Sequence, residues 1–335
     1  MADNLVKTPQ PHKSPGERFG LAVAQMGPVH LADSRARVVQ RLLAMMREAA
    51  SRRAKMVVFP ELALTTFFPR YWMEDAEVNA RFFETSMPGP ETQVLFDEAR
   101  KLSIGFYLGY AEMTAEGQRF NTSILVNEQA HIVGRYRKIH LPGHSDHKLD
   151  APFQHLEKKY FEVGNDGFGV TPMLGTHIGQ CICNDRRWPE TYRVMSLQSA
   201  RIVVLGYNTP SWNIHWTEAP HLRMFHHLLS LQANAYQNGL WVAAAAKSGS
   251  EDGFHMIGGS AIVSPTGEIT AQAQSEEDEV IFTNCDLALG DNFLNHVFNF
   301  AKHRRPEHYR LIVERTGAGP PLASAELLIS ATRST

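Results

Sequence analysis

Short, almost wholly apolar runs recur along this 335-residue chain, and they constrain its fold more than any other feature. Phe19–Met26 reads FGLAVAQM, Met56–Phe59 reads MVVF and Ile202–Leu205 reads IVVL. Each is short and lacks the polar alternation of a half-exposed strand, so each predicts a strand covered on both faces. Segments with helical spacing lie between them. Ser34 can cap a helix in which Val38, Leu42, Met45, Met46 and Ala49 recur every three or four residues. Pro90–Leu102 reads as a helix, and Pro189–Ser199 as one opened by proline in its first turn. His221–Gln237 reads as a long helix with Leu222, Phe225, Leu229 and Ala233 on one side. Phe106–Ala111, Asn121–Val126, His131–Ile139, Met173–Cys183, Trp241–Ala246, Ser260–Val263 and Val280–Cys285 read as further strands, with a turn at Ser264–Gly267. Strands and helices mixed without a break in composition predict one α/β domain over residues 18–312. Residues 1–17, rich in proline and without apolar periodicity, read as a flexible tail. Residues 313–335 read as a C-terminal extension, its TGAGPP stretch a linker or swapping arm.

Composition narrows the function by exclusion. A formal net charge of −2 gives no general attraction for nucleic acid or an anionic membrane. No apolar run approaches the roughly 18 residues of a membrane-spanning helix, and the N-terminus lacks the apolar core of a signal peptide. Three cysteines, few and odd in number, suit a reducing compartment, so the expected location is cytoplasmic. Neither GxGxxG nor GxxxxGK[ST] occurs, which leaves nucleotide binding without support.

Reactive side chains terminate three of the strands: Glu61 after MVVFP, Lys138 after GRYR and Cys183 after GQCI. Ligands in α/β proteins collect beyond the carboxyl ends of strands, so the three can converge despite their separation in sequence. As a set they are complementary: a thiol nucleophile, a carboxylate to take its proton and an ammonium to stabilise negative charge. Each also has a plainer reading, as a solvated loop glutamate, a solvent-facing basic cluster (Arg135, Arg137, Lys138) and a small buried hydrophobe. Cys181 and Cys183 together make a poor metal clip, because zinc sites normally need four ligands and no second cysteine pair exists. Arg186 and Arg187 stand just before a Trp-Pro-Glu helix start, where free N–H groups already favour an anion. Paired guanidinium groups can hold a carboxylate bidentately; the alternative is ion pairing with Asp185 or Glu190.

VVFPELALTTFF, GRYRKIHLPGH and CICNDRRWPE, in this order, resemble the nitrilase superfamily of carbon–nitrogen hydrolases. More narrowly, with FQHLEKKYFEVG, GYNTP, FHHLLSLQANAYQNG and FNFAKHRRPEHY, the chain resembles N-carbamoyl-D-amino acid amidohydrolases over nearly all of residues 18–312. The resemblance implies a four-layer αββα sandwich, usually paired into a homodimer or homotetramer. It implies Cys183 as nucleophile, Glu61 as general base, Lys138 as the cation at the oxyanion and Glu157 as a second glutamate that positions Lys138. Arg186 and Arg187 are implied carboxylate ligands, with Asn208 and Thr209 nearby and the amide of Asn184 at the oxyanion. His140, His155 and His226 fall in segments where the family keeps histidines, in support or as satisfied buried hydrogen-bonders. SWNIHWTEAPH (211–221) and SGSEDGFHMIGG (248–259) are expected beside the side-chain pocket. The implied reaction takes an N-carbamoyl-D-amino acid to amino acid, CO2 and ammonia through a carbamoyl thioester, with no metal or organic cofactor. A related hydrolase of an N-carbamoyl β-amino acid or another carboxylated amide is the main alternative, and a catalytically silent binding protein of the same fold the remote one.

Overall fold

The computed structural model describes residues 18–75, 79–212 and 218–321, so the 1–17 tail, residues 213–217 and the end of the C-terminal extension lie outside the described residues. In β1 (Arg18–Gln25) every residue after Arg18 is buried, as a continuous apolar run demands. Phe19, Leu21 and Val23 face a second sheet while Ala22 and Ala24 face helices. The chain continues through α1 (Arg35–Ser51), β2 (Met56–Val58), β3 (Phe83–Glu84), α2 (Gln93–Leu102), β4 (Gly105–Met113), β5 (Arg119–Val126), β6 (Ile132–Arg137) and the single turn α3 (Glu157–Tyr160). Then follow β7 (Val170–Met173), β8 (Thr176–Ile182), α4 (Pro189–Leu197), β9 (Ile202–Tyr207), α5 (Pro220–Asn238) and β10 (Trp241–Ala246). The hairpin β11 (Ser248–Glu251) and β12 (Phe254–Ile257) precedes β13 (Ala261–Val263), β14 (Ile269–Gln272) and β15 (Glu279–Asp286).

The first sheet runs β15-β1-β2-β4-β5-β6, with β3 on β4, and the second runs β14-β13-β10-β9-β8-β7. In each the inner pairs are parallel and the outer ones antiparallel. Val58 and Tyr107 of one sheet meet Ile202, Val204, Trp241 and Ala243 of the other. Ser34 caps α1 as its sequence predicts, accepting from the Arg37 N–H, and Val38, Leu42 and Met46 then pack on the outer face of sheet one beside Leu95 and Phe96 of α2. Tyr192 and Met195 of α4 and Leu231 and Ala235 of α5 cover sheet two. Burial of each such large apolar side chain contributes about 1.5–3 kcal/mol. The result is the four-layer αββα sandwich.

Two glycines place the backbone that carries Glu61. A Cβ on Gly206 of β9 would lie 2.2 Å from the Glu61 nitrogen, and one on Gly109 of β4 would lie 2.8 Å from the Pro60 carbonyl oxygen. The Pro60–Glu61 peptide therefore passes between the two sheets through space that only glycine leaves. The hydroxyl of Tyr107 fastens the sheets nearby, donating to the Cys181 carbonyl and accepting from the Gly206 N–H, each at 3.0 Å.

Two local expectations change. Met173–Cys183 is not one strand but the hairpin β7–β8, because Leu174 and Gly175 adopt positive φ of 53° and 78° and reverse the chain. The stripe Leu222, Phe225, Leu229 and Ala233 is not the inward face of α5: Phe225 and Leu229 are exposed, and His227, Leu231, Asn234 and Ala235 turn inward instead. That inward face mixes apolar and polar residues because it packs against the site as well as the core, so hydrophobicity alone picks the wrong side.

Gly206→Ala is expected to cost about 3 kcal/mol of stability through the clash with Glu61. Gly169→Ala, where an added Cβ meets nothing within 4 Å, should stay within about 0.5 kcal/mol of the parent. Urea denaturation of both variants makes the comparison; equal stability would show that the peptide is not confined there.

Candidate active site

Glu61 follows proline, which has no N–H to extend the ladder, so β2 ends and the chain turns inward. Leu62 next to it and Cys183 after β8 both adopt the left-handed region, at φ 46° and 48°. Such conformations cost a non-glycine residue about 1–3 kcal/mol and persist where surrounding structure fixes them. Lys138 follows β6 directly and Glu157 opens α3. All four side chains are buried.

Lys138 is the hub. Its Nζ donates to Glu61 Oε1 at 2.7 Å and to Glu157 Oε2 at 2.5 Å. The solvent-facing reading of its basic neighbourhood fails because Arg137 is tied to Glu112 and Arg135 to Asp166, which leaves Lys138 to turn into the interior. Glu61 is held at every oxygen. Asn121 Nδ2 donates to Oε1 at 2.8 Å, the Asn208 N–H to Oε2 at 2.9 Å, and Asn208 Nδ2 to the Glu61 carbonyl at 2.8 Å. Asn208 also presents its own carbonyl to the Cys183 thiol, 3.7 Å away, so one residue orients both groups.

Electrostatics differentiates the four. Burial pushes the Glu61 carboxyl above its ordinary value, Lys138 pulls it back and Glu157 adds to the rise. Burial acts on Glu157 in the same sense, but Lys138 and His155 overcome it and hold that carboxyl low. Burial opposes the charge on Lys138, yet the Glu157 and Glu61 carboxylates keep it firmly protonated. The Cys183 thiol is pushed up by burial and by Glu61, against the pull of Lys138 and Arg186, so the resting sulfur keeps its proton. A carboxyl raised toward neutrality beside a protonated thiol suits proton transfer between them.

The adjacent arginines part company. Cys183–Arg187 form a 3-10 turn, which sends Arg186 inward and Arg187 outward. Arg186 is fully buried, donating to the Cys183 carbonyl at 2.7 Å, Thr209 Oγ1 at 2.9 Å and His227 Nδ1 at 3.1 Å. The expected two-arginine clamp therefore has one member in the cavity, and Asn208 and Thr209 are likewise buried behind it. Ion pairing of the arginines with Asp185 or Glu190 is not found among the described residues. Asp185 is occupied by the Tyr136 hydroxyl at 2.8 Å, the Ile182 N–H at 3.0 Å and His140 Nδ1 at 2.8 Å.

Arg187 stands in the wall of a cavity of about 480 Å³, with Asn184, His155, Phe153, Pro210, Trp212, Glu218, Arg223, His226 and Leu229. It donates to Asn184 Oδ1 at 3.2 Å and, among the described residues, has no carboxylate within ion-pairing distance. Arg186 first, and then burial, pushes its pKa down to about 10. Across the cavity Arg223 and His226 share the Glu218 carboxylate at 3.3 and 3.2 Å, and Arg223 also holds the Pro210 carbonyl. His226 is therefore a half-exposed wall residue, and the satisfied buried histidine is its neighbour His227. His155 links wall to ion cluster, with Nε2 3.4 Å from Glu157 Oε1, while His140 stacks on Trp188 at 4.7 Å outside the wall. Cys181 packs in the core of sheet two. Trp212 and Glu218 border the cavity as 211–221 was expected to, and Phe254 of the 248–259 segment packs on Phe153. Asn121, His227, Glu218 and Arg223 carry no separate mark in the sequence, although His227 lies inside FHHLLSLQANAYQNG and Glu218 inside SWNIHWTEAPH.

Fold and site together define a hydrolase class built around a buried carboxylate–ammonium–thiol cluster. The model of the carbon–nitrogen hydrolase family matches residues 20–293, and the chain belongs to that family, acting on carbon–nitrogen bonds of amides. A nitrilase of Pyrococcus abyssi is 30% identical over 269 residues, 79% of this chain and 90% of the relative. An N-carbamoylputrescine amidase of Oryza sativa subsp. japonica is 26% identical over 315 residues, 90% of this chain and 97% of the relative. Among solved structures, a carbon–nitrogen hydrolase of Helicobacter pylori superposes with TM-score 0.77 at 21% identity, covering 90% of this chain and 100% of that one. No described helix is long and apolar enough to cross a membrane.

Lys138→Met would leave two fully buried carboxyls without their ammonium, a loss of about 3–5 kcal/mol near neutrality. Both carboxyls then carry a folded-state pKa above their unfolded value, so protonation favours folding at low pH and ionisation penalises it as pH rises. The variant's deficit in melting temperature against wild type should thus widen between about pH 5 and about pH 8. A deficit independent of pH would show that the carboxyls do not depend on Lys138.

Proposed function

We propose that the chain hydrolyses N-carbamoyl-D-amino acids to the amino acid, CO2 and ammonia. The observation that carries this reading is Arg187: a cation in the cavity wall, four residues beyond Cys183, with no carboxylate of the described residues within ion-pairing distance. A guanidinium so placed fits a substrate whose carboxylate lies a few bonds from the carbon attacked. The relative named N-carbamoylputrescine amidase supports a carbamoyl group at that carbon. The D configuration rests on the likeness of CICNDRRWPE, GYNTP and FHHLLSLQANAYQNG to the D-carbamoylases.

In the proposed mechanism Glu61 takes the Cys183 proton as sulfur adds to the ureido carbon. The oxyanion is held by the Lys138 ammonium and the Asn184 N–H. Glu61 returns the proton to the departing nitrogen, ammonia leaves, and a carbamoyl thioester remains on Cys183. Water, deprotonated by Glu61, adds to the thioester carbon, and the carbon–sulfur bond breaks with the thiol reprotonated. The N-carboxy amino acid released then loses CO2. The raised pKa of Glu61 lets one carboxyl act as base and acid in turn, and the low pKa of Glu157 keeps a fixed negative charge beside the Lys138 ammonium while it does so.

Ammonia release from N-carbamoyl-D-phenylalanine, its L enantiomer, N-carbamoylputrescine and a simple aliphatic amide tests the reading. Release from the D compound should exceed the others and vanish in Cys183→Ala. Arg187→Lys should raise KM for the D substrate roughly tenfold while leaving kcat within about threefold. Fast release from the cationic or uncharged amide with little from the D compound would move the enzyme to another branch of the family. Full activity in Cys183→Ala would overturn the mechanism.

A further inference from the structure

Arg186 is a fully buried cation, and no carboxylate of the described chain lies within ion-pairing distance of it. Uncompensated charge in the interior is costly, so an anion that forms beside it is favoured. Its hydrogen-bond partners are neutral, and the adjacent charge, Arg187, is a second cation. One terminal nitrogen, Nη1, donates to the Cys183 carbonyl at 2.7 Å and lies 3.7 Å from the Cys183 sulfur. Nη2 donates to Thr209 Oγ1 at 2.9 Å, and the guanidinium plane sits over the Tyr207 ring at 4.5 Å. Nε donates to His227 Nδ1 at 3.1 Å.

That last bond fixes a tautomer. Arginine Nε always carries hydrogen, so His227 Nδ1 must be the lone-pair nitrogen and the ring proton sits on Nε2. Nε2–H finds two acceptors, the Tyr207 hydroxyl oxygen at 2.8 Å and the Gly259 carbonyl at 3.2 Å. Tyr207 in turn donates its hydroxyl proton to the Gly258 carbonyl at 2.7 Å. Every hydrogen in the chain Arg186–His227–Tyr207–Gly258 points the same way, from the turn that carries Cys183 toward the Gly258 carbonyl. Protonation of His227 would aim a second N–H at the arginine, and burial together with the nearby guanidinium keeps its pKa well below the ordinary histidine value.

We propose that Arg186 is a positioning residue for the Cys183 thiolate, oriented by neutral His227, rather than a ligand for the substrate carboxylate. The thiolate is the anion the buried guanidinium lacks at rest. When the thiol proton passes to Glu61, the negative sulfur forms 3.7 Å from Nη1, and the same arginine braces the left-handed backbone of Cys183 through its carbonyl. Arg187 keeps the carboxylate-binding role alone. This inference rests on Cys183 being the nucleophile, and not on the identity of the amide.

The test is the pH profile of Cys183 alkylation by iodoacetamide in the substrate-free protein, read by peptide mass spectrometry so that Cys181 and Cys285 are counted separately. Arg186→Lys should raise the midpoint by about one pH unit, a tenfold slower alkylation below it, and lower kcat with KM for the amide substrate within about threefold. A second pair of variants removes dependence on one buried substitution. His227→Asn places a carboxamide oxygen near the Nδ1 position and should keep the alkylation midpoint closer to wild type than His227→Gln, which reaches instead to the Nε2 position and should behave like Arg186→Lys. Circular dichroism confirms that each is folded. An unshifted alkylation profile in Arg186→Lys or His227→Gln, with KM raised and kcat kept, would return Arg186 to the substrate site and overturn the proposal. Equal behaviour of the Asn and Gln variants would sink the role of His227. Loss of D-carbamoyl activity with the alkylation shifts intact would fault the substrate reading alone.

Discussion

One ammonium between two carboxylates, all three removed from water, is the arrangement on which the site depends. A lone carboxylate at the position of Glu61 would take a proton and cease to be a base; two carboxylates without a cation would repel each other out of the interior. Lys138 resolves both problems and remains charged because the carboxylates repay its desolvation. The cluster is not symmetric. Asn208 and Asn121 hold Glu61 while burial raises its pKa, whereas His155 helps to keep Glu157 ionised. One carboxyl is thereby held above its ordinary pKa and the other below. The αββα frame supplies the location, since only the seam between two sheets brings the ends of β2, β6 and β8 within reach of one lysine.

A second consequence of the frame is the separation of two adjacent arginines. In an extended segment neighbours alternate across a sheet, and in a 3-10 turn they diverge by a third of a revolution. The turn at Cys183–Arg187 sends Arg186 under Cys183 and Arg187 into the cavity wall, so adjacent guanidinium groups occupy two different environments. Polarity inside the protein is neutral around Arg186 and is supplied by carbonyl, hydroxyl and imidazole lone pairs. On the cavity side the Glu218 carboxylate in the wall already serves Arg223 and His226.

Sequence patterns made the strands and the reactive ends legible for a physical reason. A strand covered on both faces must be apolar at every position, and MVVF or IVVL advertises that without ambiguity. A reactive residue just beyond such a run has few places to go, which is why Glu61, Lys138 and Cys183 could be singled out singly. Their convergence was readable only through the resemblance, because pairing order between sheets leaves no mark on the local sequence. Asn121 illustrates the limit: inside FNTSILV it reads as an ordinary strand residue, and its contact with Glu61 depends on β5 lying beside β4. The inward face of α5 was misread since His227, Asn234 and Asn238 are buried for their hydrogen bonds, a cause that hydrophobic periodicity does not register. Adjacent histidines at 226 and 227 differ only in the side of the helix from which they emerge.

The two sheets also differ in how much chain they must wait for. Sheet two is assembled from one continuous stretch, β7 to β14, whose strands can find each other soon after they are made. Sheet one closes only when β15 lays itself antiparallel on β1, with Asp286 opposite Arg18, and β1 bridges across to sheet two through Met26 and Lys247. Pairing between such distant segments is slow because a long loop must be closed before any contact rewards it. During synthesis β1 therefore stays without one of its neighbours until nearly the whole domain has left the ribosome, and its apolar edge needs protection from aggregation for that time.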